Sequence, residues 1–135
     1  MELVIDANIL ISALLKEGIT RELLFNDELI LYTPEFIIEE FLKHIIQLAQ
    51  KAHTTKNDLQ DLAKTLIIES NIKIISKDDV RMCIKKAEQI SPDPDDVMYF
   101  ATALKLNCSI WSNDKEMKKQ KYVRVYATHD LVKLF

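Results

Sequence analysis

Apolar residues follow two alternating spacings along this chain, one typical of strands and one typical of helices. The β-branched run at residues 3–5 is cut off by Asp6, which predicts a first strand followed by a turn or a helix start. Comparable short apolar runs predict four further strands, at residues 29–32, 72–75, 109–111 and 123–126.

Between these runs the apolar residues recur every three to four positions, as on one face of a helix. Asn8 is the predicted cap of the first helix, Thr33 and Pro34 are the predicted cap and first residue of a long one, and Asp78 or Asp79 caps a later one. Two prolines at 92 and 94 exclude one continuous helix there. Helices are predicted after Asn8, over 20–25, 34–48 and 57–69, after Asp78 or Asp79, from Asp95 or Asp96 to Leu106, near Glu116, and at 131–134.

Strands that alternate with helices are typical of an α/β fold with a mostly parallel sheet. We therefore expect a three-layer α/β/α sandwich. The chain contains no internal repeat, low-complexity segment or linker, so residues 1–135 are expected to form one domain.

The composition of the chain disfavours some classes of function but does not identify one. The single glycine excludes the Gly-rich loops of nucleotide-binding motifs, and the net charge of −3 means that any attraction to nucleic acid must come from a local basic cluster. Cys83 and Cys108 stand in apolar or amphipathic runs and are interpreted as free thiols. No apolar run approaches 18 residues and no leader pattern precedes the first strand, which leads us to expect a cytoplasmic protein.

Four acidic residues stand where a parallel sheet would bring them together. Asp6 and Asp114 follow predicted strands, Asp96 begins a helix, and Glu40 lies about two turns into another. Functional clefts in such sheets lie beyond the carboxyl ends of the strands. Carboxylates crowded there repel one another unless a cation joins them, and oxygen ligands suit Mg²⁺ or Mn²⁺. Taken singly, each acid also has an ordinary reading as a cap, a turn former or part of a solvated face.

Several segments also resemble the PIN-domain ribonucleases, which include the VapC-like toxin nucleases. The opening run from Val4 to Leu10 is similar to that family's first strand with its Asp. The segment from Asp96 to Leu104 resembles the helix that bears the third acid, and residues 110–114 resemble the strand that ends in Thr or Ser, any residue, then Asp. The helix from Pro34 to Phe41 matches the one that carries a Glu.

The resemblance implies an endoribonuclease that uses one or two Mg²⁺ or Mn²⁺ ions. It implies metal-binding and catalytic roles for Asp6, Glu40, Asp96 and Asp114, with Glu39 open as an alternative to Glu40 and Asp95 as an alternative to Asp96. Asn8 and Ser112 look like the polar groups that support the carboxylates. The family further implies a possible inhibitor partner (an antitoxin) and a homodimer or higher homo-oligomer. Whether the protein is the toxin of a toxin–antitoxin pair or an RNA-processing enzyme stays open in the sequence.

Cations near the cleft are expected to bind the RNA backbone. The candidates are Lys115, Lys118 and Lys119, then Lys16 and Arg21, with Lys43 and His44 beside Glu40. Three rivals remain: an inactive PIN-fold interaction module, a phosphoacceptor signalling domain and a phosphatase. The single Asp after strand one disfavours the last two, which use an acidic pair or an Asp-x-Asp there.

Overall fold

The structure is a computed structural model that describes residues 1–135. Its centre is a sheet of five parallel strands in the order β3-β2-β1-β4-β5. The strands are β1 (Glu2–Ile5), β2 (Ile30–Pro34), β3 (Lys73–Ile75), β4 (Ser109–Trp111) and β5 (Val125–Tyr126). All five predicted strands exist, although the last is shorter than the apolar run that predicted it.

Seven helices cover the two faces of the sheet. They are α1 (Ala7–Leu15), α2 (Ile19–Leu24), α3 (Phe36–Lys51), α4 (Lys56–Glu69), α5 (Lys77–Ile90), α6 (Val97–Leu106) and α7 (Thr128–Leu134). Short 3₁₀ helices at Pro94–Asp96 and Lys115–Lys118 complete the regular structure. None of the helices combines the length and the apolarity that crossing a bilayer requires.

Alternation along β1 divides the interior into two cores. Leu3 and Ile5 pack on one side of the sheet with residues of α1, α3, α4 and α7, whereas Val4 packs on the other side with α5 and α6. Successive strand residues point to opposite faces, so one strand serves both cores. The expected three-layer α/β/α sandwich is confirmed.

Three helix starts differ from the prediction, two because another oxygen-bearing side chain is the cap and one because strand β2 continues through the predicted start. Asp6 caps α1 in place of Asn8, and Ser76 caps α5 in place of Asp78 or Asp79. Thr33 and Pro34 belong to β2, where the Thr33 hydroxyl donates to the Ile5 carbonyl over 3.0 Å. The Pro34 ring breaks no ladder bond, because pairing with β1 ends at Tyr32.

The sheet order fixes where a cleft can form. From β1 the chain proceeds outward to β2 and β3, then returns to the other side of β1 for β4 and β5. The reversal lies between β1 and β4, and ligands in open parallel sheets bind beyond the strand ends at such a point. This order also differs from the 2-1-3-4-5 order of phosphoacceptor domains.

Candidate active site

Asp6 stands directly after β1, at the reversal point of the sheet. It is only 5% exposed, and both of its carboxylate oxygens are occupied. One accepts a hydrogen bond of 3.0 Å from the Ile9 backbone N–H, which caps α1, and the other accepts a hydrogen bond from the Ser112 hydroxyl. Burial raises the pKa of Asp6 to about 6, although these hydrogen bonds act in the opposite direction.

Ser112 links the ends of the two central strands. It is fully buried directly after β4, and its hydroxyl oxygen also accepts a 3.0 Å hydrogen bond from the Asp114 backbone N–H. Asp114 in turn accepts a 3.0 Å hydrogen bond from the Glu116 N–H and so begins the following 3₁₀ helix. The Ser112 hydroxyl thereby holds the loop that carries Asp114 against Asp6.

Asp96 and Glu40 approach the same place from two helices. Asp96 stands directly before α6, accepts no capping hydrogen bond and is half-buried, and Glu40 lies on α3 and is also half-buried. Burial, followed by the charges of Asp93, Asp114, Asp6 and Glu40, raises the pKa of Asp96 to about 7. Four elements distant in the sequence thus bring Asp6, Glu40, Asp96 and Asp114 within electrostatic reach of one another.

The main charges that act on two acids of this cluster, Asp6 and Asp96, are negative. The charged groups that most shift the pKa of Asp6 and Asp96 are carboxylates, and each of them raises it. Carboxylate and hydroxyl oxygens are the donors that Mg²⁺ and Mn²⁺ prefer, so the donor set fits a hard divalent cation. In their present rotamers, no three of these side chains close into a coordination sphere.

The neighbouring acids are placed differently from the cluster. Glu39 and Asp95 are exposed, and neither perturbs the pKa of Asp96. Asp93 is exposed as well, but its charge acts on Asp96 and its side chain accepts a 2.9 Å hydrogen bond from the Asp95 N–H. The Asn8 side chain is exposed, and it is the Asn8 backbone N–H that acts on the Asp6 carboxylate.

The lysines after Asp114 differ in whether an acidic side chain pairs with them. Lys118 pairs with Asp130 over 2.9 Å, and Lys119 pairs with Glu116 over 2.8 Å. Lys115 is exposed and forms no ion pair. Lys43 lies one turn beyond Glu40, with its Nζ 6.0 Å from the centre of the Phe36 ring.

Lys16 and Arg21 are not brought to the acidic cluster. Asp6 stands at the N-terminus of α1, and the two cations follow the C-terminus of this helix. A helix of nine residues is about 13 Å long, which separates the cations from Asp6. The Arg21 guanidinium donates to the carbonyls of Ala13 at 2.8 Å and Leu14 at 3.2 Å. It also pairs with the exposed Glu17 at 3.1 Å.

These contacts predict that Arg21 stabilises the end of α1. Arg21→Ala should lower the free energy of unfolding by about 2 kcal/mol, because two charge-assisted hydrogen bonds to free carbonyls are lost. Glu17→Ala is the control, and it should change stability by less than about 0.5 kcal/mol because its carboxylate is 87% exposed. Urea unfolding measures both. Unchanged stability together with weaker RNA binding in Arg21→Ala would contradict the prediction.

Tyr99 was not singled out by the sequence pattern, yet it borders the cluster. It is 1% exposed on α6, one turn after Asp96, and its ring meets the Phe36 ring edge-on with centres 6.0 Å apart. Phe36 lies one turn before Glu40 on α3. The sequence could have indicated both aromatic residues through helical spacing. Phe36 is four residues from Glu40 on α3, and Tyr99 is three residues from Asp96 at the start of α6.

Comparisons with known proteins agree with the topology. The family model described as PIN domain matches residues 4–125. A chain of the crystal structure of VapBC2 from Rickettsia felis, bound to a DNA fragment from their promoter, has a similar fold, with a TM-score of 0.72 and 15% sequence identity over 94% of this chain and 98% of that chain. At that identity the similarity shows the fold alone. No curated protein matches the chain.

Proposed function

The chain belongs to the PIN-domain family, whose members are typically nucleases, and from this premise we propose that it is a metal-dependent endoribonuclease. The observation that carries the proposal is the group of four mutually repelling carboxylates at the reversal point of the sheet. Maintaining such a group costs stability, and a cation-dependent reaction gives a reason for it.

In this proposal Asp6, Glu40, Asp96 and Asp114 hold one or two Mg²⁺ or Mn²⁺ ions. A bound ion of this kind lowers the pKa of a water ligand and offsets charge on a phosphate. Ser112 keeps Asp6 and Asp114 together through its two hydrogen bonds. No side chain of the chain needs to act as a covalent nucleophile, because water attacks the phosphorus and the ribose oxygen leaves.

Binding of the RNA backbone is assigned to cations around the cluster. Lys115 and Lys43 are the best placed, since one follows Asp114 directly and the other lies one turn from Glu40, and neither is held in an ion pair. Lys118 and Lys119 contribute a weaker field, because acids already neutralise them. Asn8, at the exposed start of α1, is proposed to support the carboxylates from the rim.

A protein partner fits the outer side of α3 and α4. Ile38, Leu42 and Ile68 are between 46% and 76% exposed and lie beside a groove of about 380 Å³ that separates the two helices. Contiguous exposed apolar surface of this kind marks interaction sites. We propose an antitoxin-type inhibitor in the cytoplasm as the partner, consistent with the two-component VapBC2 neighbour. That a second copy of the chain packs on this face, forming a homodimer, remains a prediction from the sequence.

The nuclease proposal is tested with end-labelled single-stranded RNA. Cleavage is expected with Mn²⁺ or Mg²⁺ and is expected to stop when EDTA is added. The products should carry no 2′,3′-cyclic phosphate, since water and not the ribose 2′-hydroxyl is the nucleophile, and this separates the activity from contaminating ribonucleases. A protein that cleaves with neither ion, or that cleaves equally well in EDTA, would reject the proposal and favour an inactive interaction module.

A further inference from the structure

The hydroxyl of Tyr99 is a buried donor without an acceptor. It is the one buried side-chain polar atom in the structure that has no hydrogen-bond partner. The Ala7 backbone N–H lies beside its oxygen, but an N–H can only donate, so the hydroxyl proton still lacks a partner. Buried polar groups are nearly always hydrogen-bonded, so an exception needs an explanation. A phenylalanine would fill the same space without this cost.

The Tyr99 hydroxyl lies within electrostatic reach of the acidic cluster. The Tyr99 ring packs edge-on against Phe36, one turn before Glu40 on α3, and Tyr99 itself lies one turn after Asp96 on α6. After burial, the charges of Glu40 and Asp6 are the strongest influences that raise its pKa, and that of Asp96 is weaker. The phenol therefore stays protonated at neutral pH and can only donate to these acids.

The carboxylates of Glu40 and Asp96 are both free to accept a hydrogen bond from the Tyr99 hydroxyl, and the Glu40 charge acts on it more strongly. Both oxygens of Asp6 already accept hydrogen bonds, from Ile9 and Ser112. The Glu40 side chain forms no hydrogen bond or ion pair, and its charge acts on Tyr99 more strongly than any other. Its long side chain can change rotamer to meet the hydroxyl without moving the backbone.

We propose that Tyr99 is a positioning residue of this site, and that its hydroxyl donates a hydrogen bond to the Glu40 carboxylate and holds it toward Asp6 and Asp96 when a divalent cation binds. The inference rests on the proposed nuclease function. Groups that orient metal-binding side chains contribute about 10–100-fold to metal affinity or activity. In that arrangement the buried Tyr99 hydroxyl has the acceptor that it otherwise lacks.

The test compares Tyr99→Phe with the wild type in two measurements. Titration with Mn²⁺ alone should give an affinity about 10–100-fold weaker in the variant, and kcat for RNA should fall by a similar factor with KM unchanged. The metal-free variant should melt no lower than the wild type, because it loses only an unpaired hydroxyl. Tyr32→Phe is the matched control, since that hydroxyl bonds Glu2 at the exposed opposite end of the strands and should affect neither measurement.

A double-mutant cycle with Glu40→Gln identifies the acceptor. If Tyr99 acts through Glu40, the effect of Tyr99→Phe on Mn²⁺ affinity should largely disappear in the Glu40→Gln background. Additive effects, or a Tyr99→Phe variant with wild-type affinity and kcat, would overturn the inference while leaving the nuclease proposal intact. A wild-type protein that neither binds Mn²⁺ nor cleaves RNA would instead overturn the nuclease proposal, and this inference with it.

Discussion

Replacing Asp6 with Asn is expected to lower Mn²⁺-dependent cleavage of RNA by about 10³-fold, the equivalent of about 4 kcal/mol of lost transition-state stabilisation. The amide removes one negative charge from the cluster, where Asp6 accepts a hydrogen bond from Ser112 and lies within electrostatic reach of Asp114. Cleavage rates at saturating Mn²⁺ measure the effect. Asp61→Asn, an exposed substitution of the same type on α4, should cleave at the wild-type rate.

The same variant should keep its fold. An Asn oxygen can still accept the Ile9 N–H and cap α1. The pKa of Asp6 is raised from 3.8 to about 6 by burial, so the folded protein holds this proton more tightly than the unfolded chain. The metal-free wild type therefore loses stability as the pH rises from about 4 to about 6, and Asp6→Asn removes that contribution. At pH 8 in EDTA, a variant that melts far below the wild type would show that its inactivity comes from misfolding.

Trp111→Ala is expected to have the largest effect on stability, a loss of about 3–5 kcal/mol in the free energy of unfolding. Trp111 is fully buried at the end of β4, and its indole N–H donates to the Thr128 hydroxyl over 3.1 Å. Truncation leaves a large cavity between the sheet and α7 and removes the hydrogen bond from the indole to that helix. The total free energy of unfolding of such a domain is about 5–15 kcal/mol, so the variant approaches unfolding at 37 °C.

Denaturant unfolding monitored by circular dichroism measures this loss. Tyr122→Ala is the control because it truncates an aromatic side chain that is 56% exposed, and it should change stability by less than about 0.5 kcal/mol. Equal stability of the two variants would mean that the interior around β4 is not packed as described. Because Ser112 and Asp114 follow Trp111 directly, RNA cleavage should fall together with folding.

The fold could be predicted because its signals are local and repeated. Each strand is a short β-branched or aromatic run, and each long helix carries an apolar stripe, so alternation alone indicated a parallel sheet in three layers. The residues at which helices begin were harder to predict. Asp6 and Asn8 are equally good capping residues by type, and only the turn after β1 decides between them. Likewise, Thr33-Pro34 has a helix-start composition, but continued pairing with β3 holds it in β2.

The acidic cluster could be predicted in part for a similar reason. Residues after parallel strands share one edge of the sheet, which places Asp6 and Asp114 together without further information. Whether Glu39 or Glu40 approaches them depends on the phase of α3, which the sequence does not set to within one residue. The pairing of Lys118 with Asp130 and the unpaired hydroxyl of Tyr99 depend on tertiary contacts that leave no mark on the local pattern.

The double duty of Asp6 has an evolutionary consequence. Its carboxylate both caps α1 and joins the acidic cluster, whereas the Glu40 side chain forms no hydrogen bond or ion pair. In a lineage released from selection for cleavage, Glu40 is expected to be substituted first, since its loss removes no such bond and relieves repulsion. An oxygen-bearing residue at position 6 preserves the cap of α1, which contributes about 1 kcal/mol, so Asn or Ser is the substitution expected there. In an inactive descendant of this protein, a substitution is therefore expected at position 40 before one at position 6.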